Sequence, residues 1–196
     1  MTVPGTPGRP RRADARRNTE GIRRAALDVF RSGGLNSPLE EVAQAAGVSK
    51  GTIYHRFGSR RGLIDAVVDE LVAERIQGII ATVEDLHDPR ERFEQYLLGI
   101  WLLQFDEPAA NDVLMRTTPD SEPLSHLCAG AQQFASDLLS TAQQAGAVRA
   151  DITPEDINQL ILERGVVVRA CDQQPRHDYR RRLRFVLDGL LVSTRL

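Results

Sequence analysis

Leu183, Val186, Leu187, Leu190 and Leu191 recur at i, i+3, i+4, i+7 and i+8. That spacing draws one stripe along a helix and no pattern on a strand. The same period returns elsewhere. Ile22, Ala26, Val29 and Phe30 form one stripe, and Leu63, Val67 and Leu71 form another, beside a row of Ile64, Val68 and Val72. β-Branched residues nowhere alternate with polar ones over a useful length. The chain is therefore expected to be all-α, and its 196 residues can bury a good core in one or two domains.

Punctuation divides these stripes into about nine helices. Ser32-Gly33-Gly34 ends the first. Ser37 reads as an N-cap, with Pro38 at the first helical position and Glu40 placed to close a capping box. Gly47 breaks that helix, Ser49 caps a third that runs to about Phe57, and a long helix follows Gly58-Ser59. Five more are expected over roughly 90–105, 108–117, 122–145, 154–172 and 178–194. Thr153-Pro154-Glu155-Asp156 starts the fourth of these with a cap, a proline and two early acids that suit the helix dipole.

Net charge is −2 but unevenly spread. Residues 1–61 hold 12 basic and 5 acidic side chains, and residues 62–196 hold 13 and 22. A basic module that meets a polyanion and an acidic body that does not would give this split. No run is long enough for a membrane span, and the start has no apolar stretch for a signal peptide, so a cytoplasmic protein is expected. Cys128 and Cys171 lack metal-ligand spacing and read as free thiols. The four histidines, 55, 87, 126 and 177, are scattered, and HExxH, GxSxG and glycine-rich phosphate loops are absent. No catalytic residue, cofactor or metal site is expected, and an enzyme is disfavoured.

Two short helices around Gly47, braced by a longer one, form a candidate helix-turn-helix over about 38–57. A helix of that width fits a major groove about 12 Å wide. Val48, Ile53 and Phe57 would anchor the second helix, leaving Lys50, Thr52, Tyr54, His55 and Arg56 for base edges or phosphates. Gly51 allows close backbone approach. Arg60 and Arg61 sit in the first turn of the next helix, where cations are mildly unfavourable unless a phosphate lies nearby. Tyr54 could instead be a packed helix residue, and His55 could merely cover the surface. Arg9, Arg11 and Arg12 read either as a solubilising tail or as an arm for a minor groove.

The segment "IRRAALDVF…GGLNSPLEEVAQAAGVSKGTIYHRFGSRRGLIDAV" resembles the DNA-binding domain of the TetR family of transcriptional regulators, over roughly 17–68. The resemblance implies an all-α homodimer, with a three-helix reading domain on double-stranded DNA and a divergent C-terminal bundle. That bundle would dimerise and bind a small effector that releases the operator. On this basis residues 1–14 are a disordered basic tail, 15–61 the DNA-binding domain and 62–196 the ligand-binding and dimerisation domain. Lys50, Gly51 and Thr52 match the base-reading start of the recognition helix. Tyr54 matches a phosphate-binding tyrosine, and His55 and Arg56 match positions that often touch DNA. Arg60 matches a phosphate contact opening the fourth helix. Ser37 retains a hydroxyl for a phosphate, whereas Pro38 and Glu40 depart from the family's pattern. An activator, a regulator controlled by a partner protein, and a helical scaffold binding acidic protein are the alternatives.

The body is less explicit. The resemblance implies that the last two helices pair with their copies in a second subunit, through Ile161, Gly165, Val168, Leu183, Val186, Leu187 and Leu190. An effector site is expected among the helices of 62–145, with Tyr96, Ile100, Trp101 and Phe105 on one helix and Met115, Arg116, His126 and Phe134 approaching from others. "DITPEDINQLIL" is similar to the C-terminal domain of one TetR subgroup.

Overall fold

The N-terminal unit is held together by the apolar stripe along its first helix. In a computed structural model that describes residues 10–115, 122–171 and 175–192, α1 (Pro10–Gly33) buries Ile22, Ala26 and Phe30 completely. It packs against α2 (Leu39–Ala46) and α4 (Arg60–Val68), with α3 (Lys50–Phe57) closing the unit. α1 starts at Pro10, so the stretch expected as tail is helical from there. Arg9 and Arg116 lie outside the described residues. Gly47 carries φ +66° and its N–H reaches the carbonyls of Ala43 and Gln44. A left-handed cap of this kind is open to glycine at no steric cost, and it sets the angle between α2 and α3.

α4 does not stop at the head. A five-residue π-helical turn, Asp69–Ala73, joins it to α5 (Glu74–Glu84). This interruption makes ten α-helices among the described residues where about nine were expected. α6 (Pro89–Asp106) is the axis of the body. Phe93, Tyr96, Leu97, Ile100 and Trp101 are all at most 1% exposed, and the helix is apolar on several faces because neighbours surround it. Those neighbours are α5, α7 (Pro108–Leu114), α8 (Glu122–Gln144), α9 (Pro154–Ala170) and α10 (Arg176–Leu190). α9 begins with a complete capping box between Thr153 and Asp156. The described residues are all-α apart from one isolated bridge, Val148 to Leu191.

The stripe on the terminal helix is spent inside the protomer. Leu183 and Leu187 are fully buried and Leu190 nearly so, on a helix that packs against α6. Gly165 is also interior: a side chain there would meet Asn111, Met115 and Gln104 within 2.8 Å. Val186 is partly buried against the same core, and Ile161 and Val168 line hollows described below. These seven residues therefore do not form one outward patch. Helical period reveals that a face is covered, not whether the cover comes from the same chain. The large apolar side chains that do face outward on these helices are Val166 of α9, 55% exposed, and Phe185 of α10, 61% exposed.

Candidate nucleic-acid interface and effector cavity

α3 is anchored on one side and open on the other. Ile53 is fully buried, and Val48 and Phe57 pack partly buried against the core. Ser49 caps the helix by accepting the Thr52 N–H at 3.2 Å, and the two hydroxyls lie 3.0 Å apart. Thr52 is thus half-buried and partly committed to the cap. Lys50, Gly51, Tyr54, His55 and Arg56 are exposed, and Lys50 and Tyr54 share one face at i, i+4. Arg56 also lies across a cleft from Arg16 of α1, extending the cationic surface. The sequence reading missed Arg16, whose signal is the Arg16-Arg17 pair.

Lys50 has a partner in the free protein. Its Nζ pairs with Oε1 of Glu40 on α2. The hydrogen bond to Lys50 holds the Glu40 carboxyl below its usual range and raises the Lys50 ammonium above its own. Glu40 is therefore spent on Lys50, and the capping box with Ser37 does not form.

Two residues expected at the phosphate backbone turn inward instead. Ser37 is 6% exposed, and its Oγ donates to the Gly34 carbonyl at 3.0 Å. The N-cap of α2 is Pro38, without a side-chain cap bond. The Arg60 guanidinium donates to the Leu35 carbonyl and, at 2.7 Å, to that of Ser37. It also lies over the Phe30 ring, 5.7 Å from the centroid. The turn between α1 and α2 exposes carbonyls without helical partners, and Arg60 satisfies them. The neighbouring Arg61 remains exposed, with Asp65 4.0 Å away.

The same turn is held from the body. Asp112 of α7, 8% exposed, accepts the Leu35 N–H at 2.7 Å through Oδ2, and its Oδ1 pairs with Arg169 of α9. Gly34 lies at φ +81°, and a Cβ there would come within 2.6 Å of the Asp112 carboxylate. Next to this contact, Gln104 Nε2 donates to Asn111 Oδ1 at 3.1 Å and to the Ile161 carbonyl at 3.2 Å. Asn111 Nδ2 donates to the Gly165 carbonyl at 3.2 Å. Four polar side chains on α6, α7 and α9 thus form a seam beneath the head.

A cavity of about 170 Å³ opens between α6, α8 and α9. Tyr96, Ile100, Ala131 and Ile161 contribute its apolar wall, Leu114 closes the α7 end, and Gln132, Glu155 and Asn158 supply polar groups. Tyr96 donates its hydroxyl to the Ala131 carbonyl at 2.9 Å, and burial raises its pKa. Only Tyr96 and Ile100 of the expected ligand residues line this space. Trp101 is fully buried elsewhere, its indole N–H without a partner. Phe105 stacks on Tyr179 at 4.7 Å and lines a separate hollow with Val168. Phe134 lies edge-on behind Tyr96 at 5.3 Å, and Met115 sits against Gly165. His126 is exposed and off the wall. Aromatic spacing identified the core of α6; the polar side of the cavity comes from Gln132 of α8, inside the expected range, and from Glu155 and Asn158 of α9, which lies outside it.

A helix-turn-helix head on an all-α body is the architecture of a bacterial transcription regulator, and comparison with known proteins agrees. The model of the bacterial regulatory proteins of the tetR family matches residues 22–67. A second model, the SbtR-like transcriptional regulator C-terminal domain, matches residues 88–192. The chain belongs to the TetR family: it is a DNA-binding transcriptional regulator and not an enzyme. It is 23% identical over 186 residues to the regulator UidR of Escherichia coli K12, covering 88% of this chain and 92% of that one. It is 41% identical over 68 residues to RaaS of Mycobacterium tuberculosis, a match spanning 35% of this chain and 32% of that protein. Among solved structures it is similar to FadR of Bacillus subtilis in complex with stearoyl-CoA, at 16% identity and a TM-score of 0.62, covering 86% and 97% of the two chains. No helix among the described residues is long and apolar enough to cross a membrane.

Proposed function

We propose that this regulator is a homodimeric repressor that binds a palindromic operator and is released when a small molecule enters the cavity between α6, α8 and α9. The observation that carries the reading is the position of α7. It walls the cavity with Leu114 and, two residues earlier, holds the head through Asp112. A ligand that displaces Leu114 strains the Asp112–Leu35 contact and changes how the heads are held.

On DNA, Lys50, Gly51 and Thr52 read base edges at the start of α3. Tyr54, His55, Arg56 and the outward Arg61 and Arg16 meet phosphates. Dimerisation uses the outward faces of α9 and α10, with Val166 and Phe185 at the contact. Two-fold symmetry then sets the recognition helices about 34–36 Å apart, one turn of duplex. The FadR complex supports a ligand in a body of this fold, not the identity of the ligand here.

Selection of bound genomic fragments, followed by salt titration on the recovered operator and on random DNA, tests the reading. Specific binding should exceed non-specific binding at every salt and fall steeply as salt rises. Absence of any fragment preferred over random DNA would overturn it.

A further inference from the structure

We infer that the cavity takes a single-ring-sized ligand carrying a cationic head, and that Glu155 selects the charge. This rests on the effector reading above and narrows it to a chemical class.

Size comes first. A cavity of about 150 Å³ accommodates benzene, and this one measures about 170 Å³. The enclosed part has room for one ring and a short substituent, and anything longer would run out past the exposed rim into solvent.

Charge comes second. Among the described residues lining the cavity, Glu155 is the one formally charged side chain. No arginine, lysine or histidine joins it there, so a carboxylate or phosphate on the ligand would meet repulsion and no counter-charge. An ammonium finds an ion pair at the rim, where Glu155 and Gln132 are exposed and Asn158 is half-buried.

Hydrogen bonding comes third. The Tyr96 hydroxyl has its proton committed to the Ala131 carbonyl, and Ile100, Ala131, Ala135 and Ile161 are apolar neighbours on the same lining. An apolar group suits that wall, with the ligand's polar atoms at the end facing Gln132, Glu155 and Asn158. Glu155 lies in the first turn of α9, and the neighbouring Asp156, not Glu155, is used by the capping box. The Glu155 carboxylate is free of that structural duty and can serve a ligand.

The test compares three ligands that share one ring: benzylamine, benzyl alcohol and benzoate, titrated calorimetrically into the full-length protein at neutral pH without DNA. Benzylamine should bind about threefold tighter than the alcohol, the modest gain of a solvent-exposed ion pair, and benzoate should give no measurable heat. Glu155→Gln should bring the amine down to the alcohol and leave the alcohol within twofold. Glu163→Gln, outside the cavity on the same helix, should change nothing. Equal affinities, a preference for benzoate, an amine preference that survives Glu155→Gln, or no binding of any of the three would overturn the inference. Operator release by benzylamine is measured in parallel. Binding in the expected order without operator release removes the effector reading and leaves the ligand class standing. Loss of operator binding altogether removes the repressor reading, while the calorimetric order still decides the class.

Discussion

The carboxylate of Asp112 on α7 accepts the backbone N–H of Leu35 across 77 positions of sequence, at 2.7 Å. This bond ties the reading head to the body at a buried site, and its Arg169 partner is 52% exposed. The asymmetry gives a prediction. Asp112→Ala leaves a buried N–H without an acceptor and should destabilise the protein by about 2–3 kcal/mol. Arg169→Ala keeps the Leu35 N–H satisfied but strips the buried carboxylate of a half-exposed counter-charge, and should cost about 1–2 kcal/mol. Urea denaturation measures both. Equal losses would show that the ion pair, not the backbone contact, holds the junction.

Arg60 and Arg61 should separate in the same way. Arg60→Ala strips two carbonyls of a charged donor and should lower stability by about 2–3 kcal/mol. Arg61→Ala should leave the melting temperature in place and flatten the salt dependence of DNA binding by about one unit. A full-strength fold in Arg60→Ala, together with a flattened slope, would return Arg60 to the phosphate backbone.

Lys50→Ala should change which operators are preferred, costing on the order of 1–3 kcal/mol on a site where the lysine reads a guanine. Binding to random DNA should change far less. Parallel losses on operator and random sequence would make Lys50 a phosphate contact only.

The outward and inward faces of α10 should behave differently. Phe185→Glu should convert a dimer to monomer in sedimentation at micromolar concentration while leaving the protomer folded. Leu187→Ala, in the core, should cost about 2–5 kcal/mol. An unchanged mass in Phe185→Glu would place the subunit contact elsewhere.

Burial pushes the Tyr179 phenol up to about 12, against about 10 for a free tyrosine. A raised pKa favours the neutral form in the folded chain. The resulting stability is complete below about pH 10 and declines from there as pH rises through 12, because the unfolded chain can ionise first. Chemical denaturation at pH 9 and pH 11 should therefore give a lower midpoint at pH 11, and Tyr179→Phe should reduce that drop. An unchanged drop would assign it to other groups.

The head was legible because its constraints are local. Gly47 at a left-handed cap, Ser49 at an N-cap and Ile53 on the buried side are each decided by residues within one or two turns. Arg60 was misread for the opposite reason: the carbonyls it meets lie 23 to 25 positions away, and composition cannot show which carbonyls lack partners. Ser37 finds its partner, the Gly34 carbonyl, only three residues off, in a turn whose shape is set by the packing of α1 against α2. The leucines of α10 were read correctly as buried and assigned to the wrong partner. Asp112 carried no signal at all, since an acid on a short helix after a proline looks like ordinary surface. Glu155 was read only as a favourable charge at a helix start.

The π-helical turn at Asp69–Ala73 lies within an otherwise unbroken run of helix from Arg60 to Glu84. Each residue added to or removed from a helix rotates what lies beyond by about 100°. Leu71 and Val72 inside that turn are fully buried, in a core that the head and the body share, and α7 grips the head from a second side through Asp112. One residue inserted at this joint would swing both side chains out of their sockets and set the two attachments against each other, so the extra-wide turn is fixed in length as well as in place.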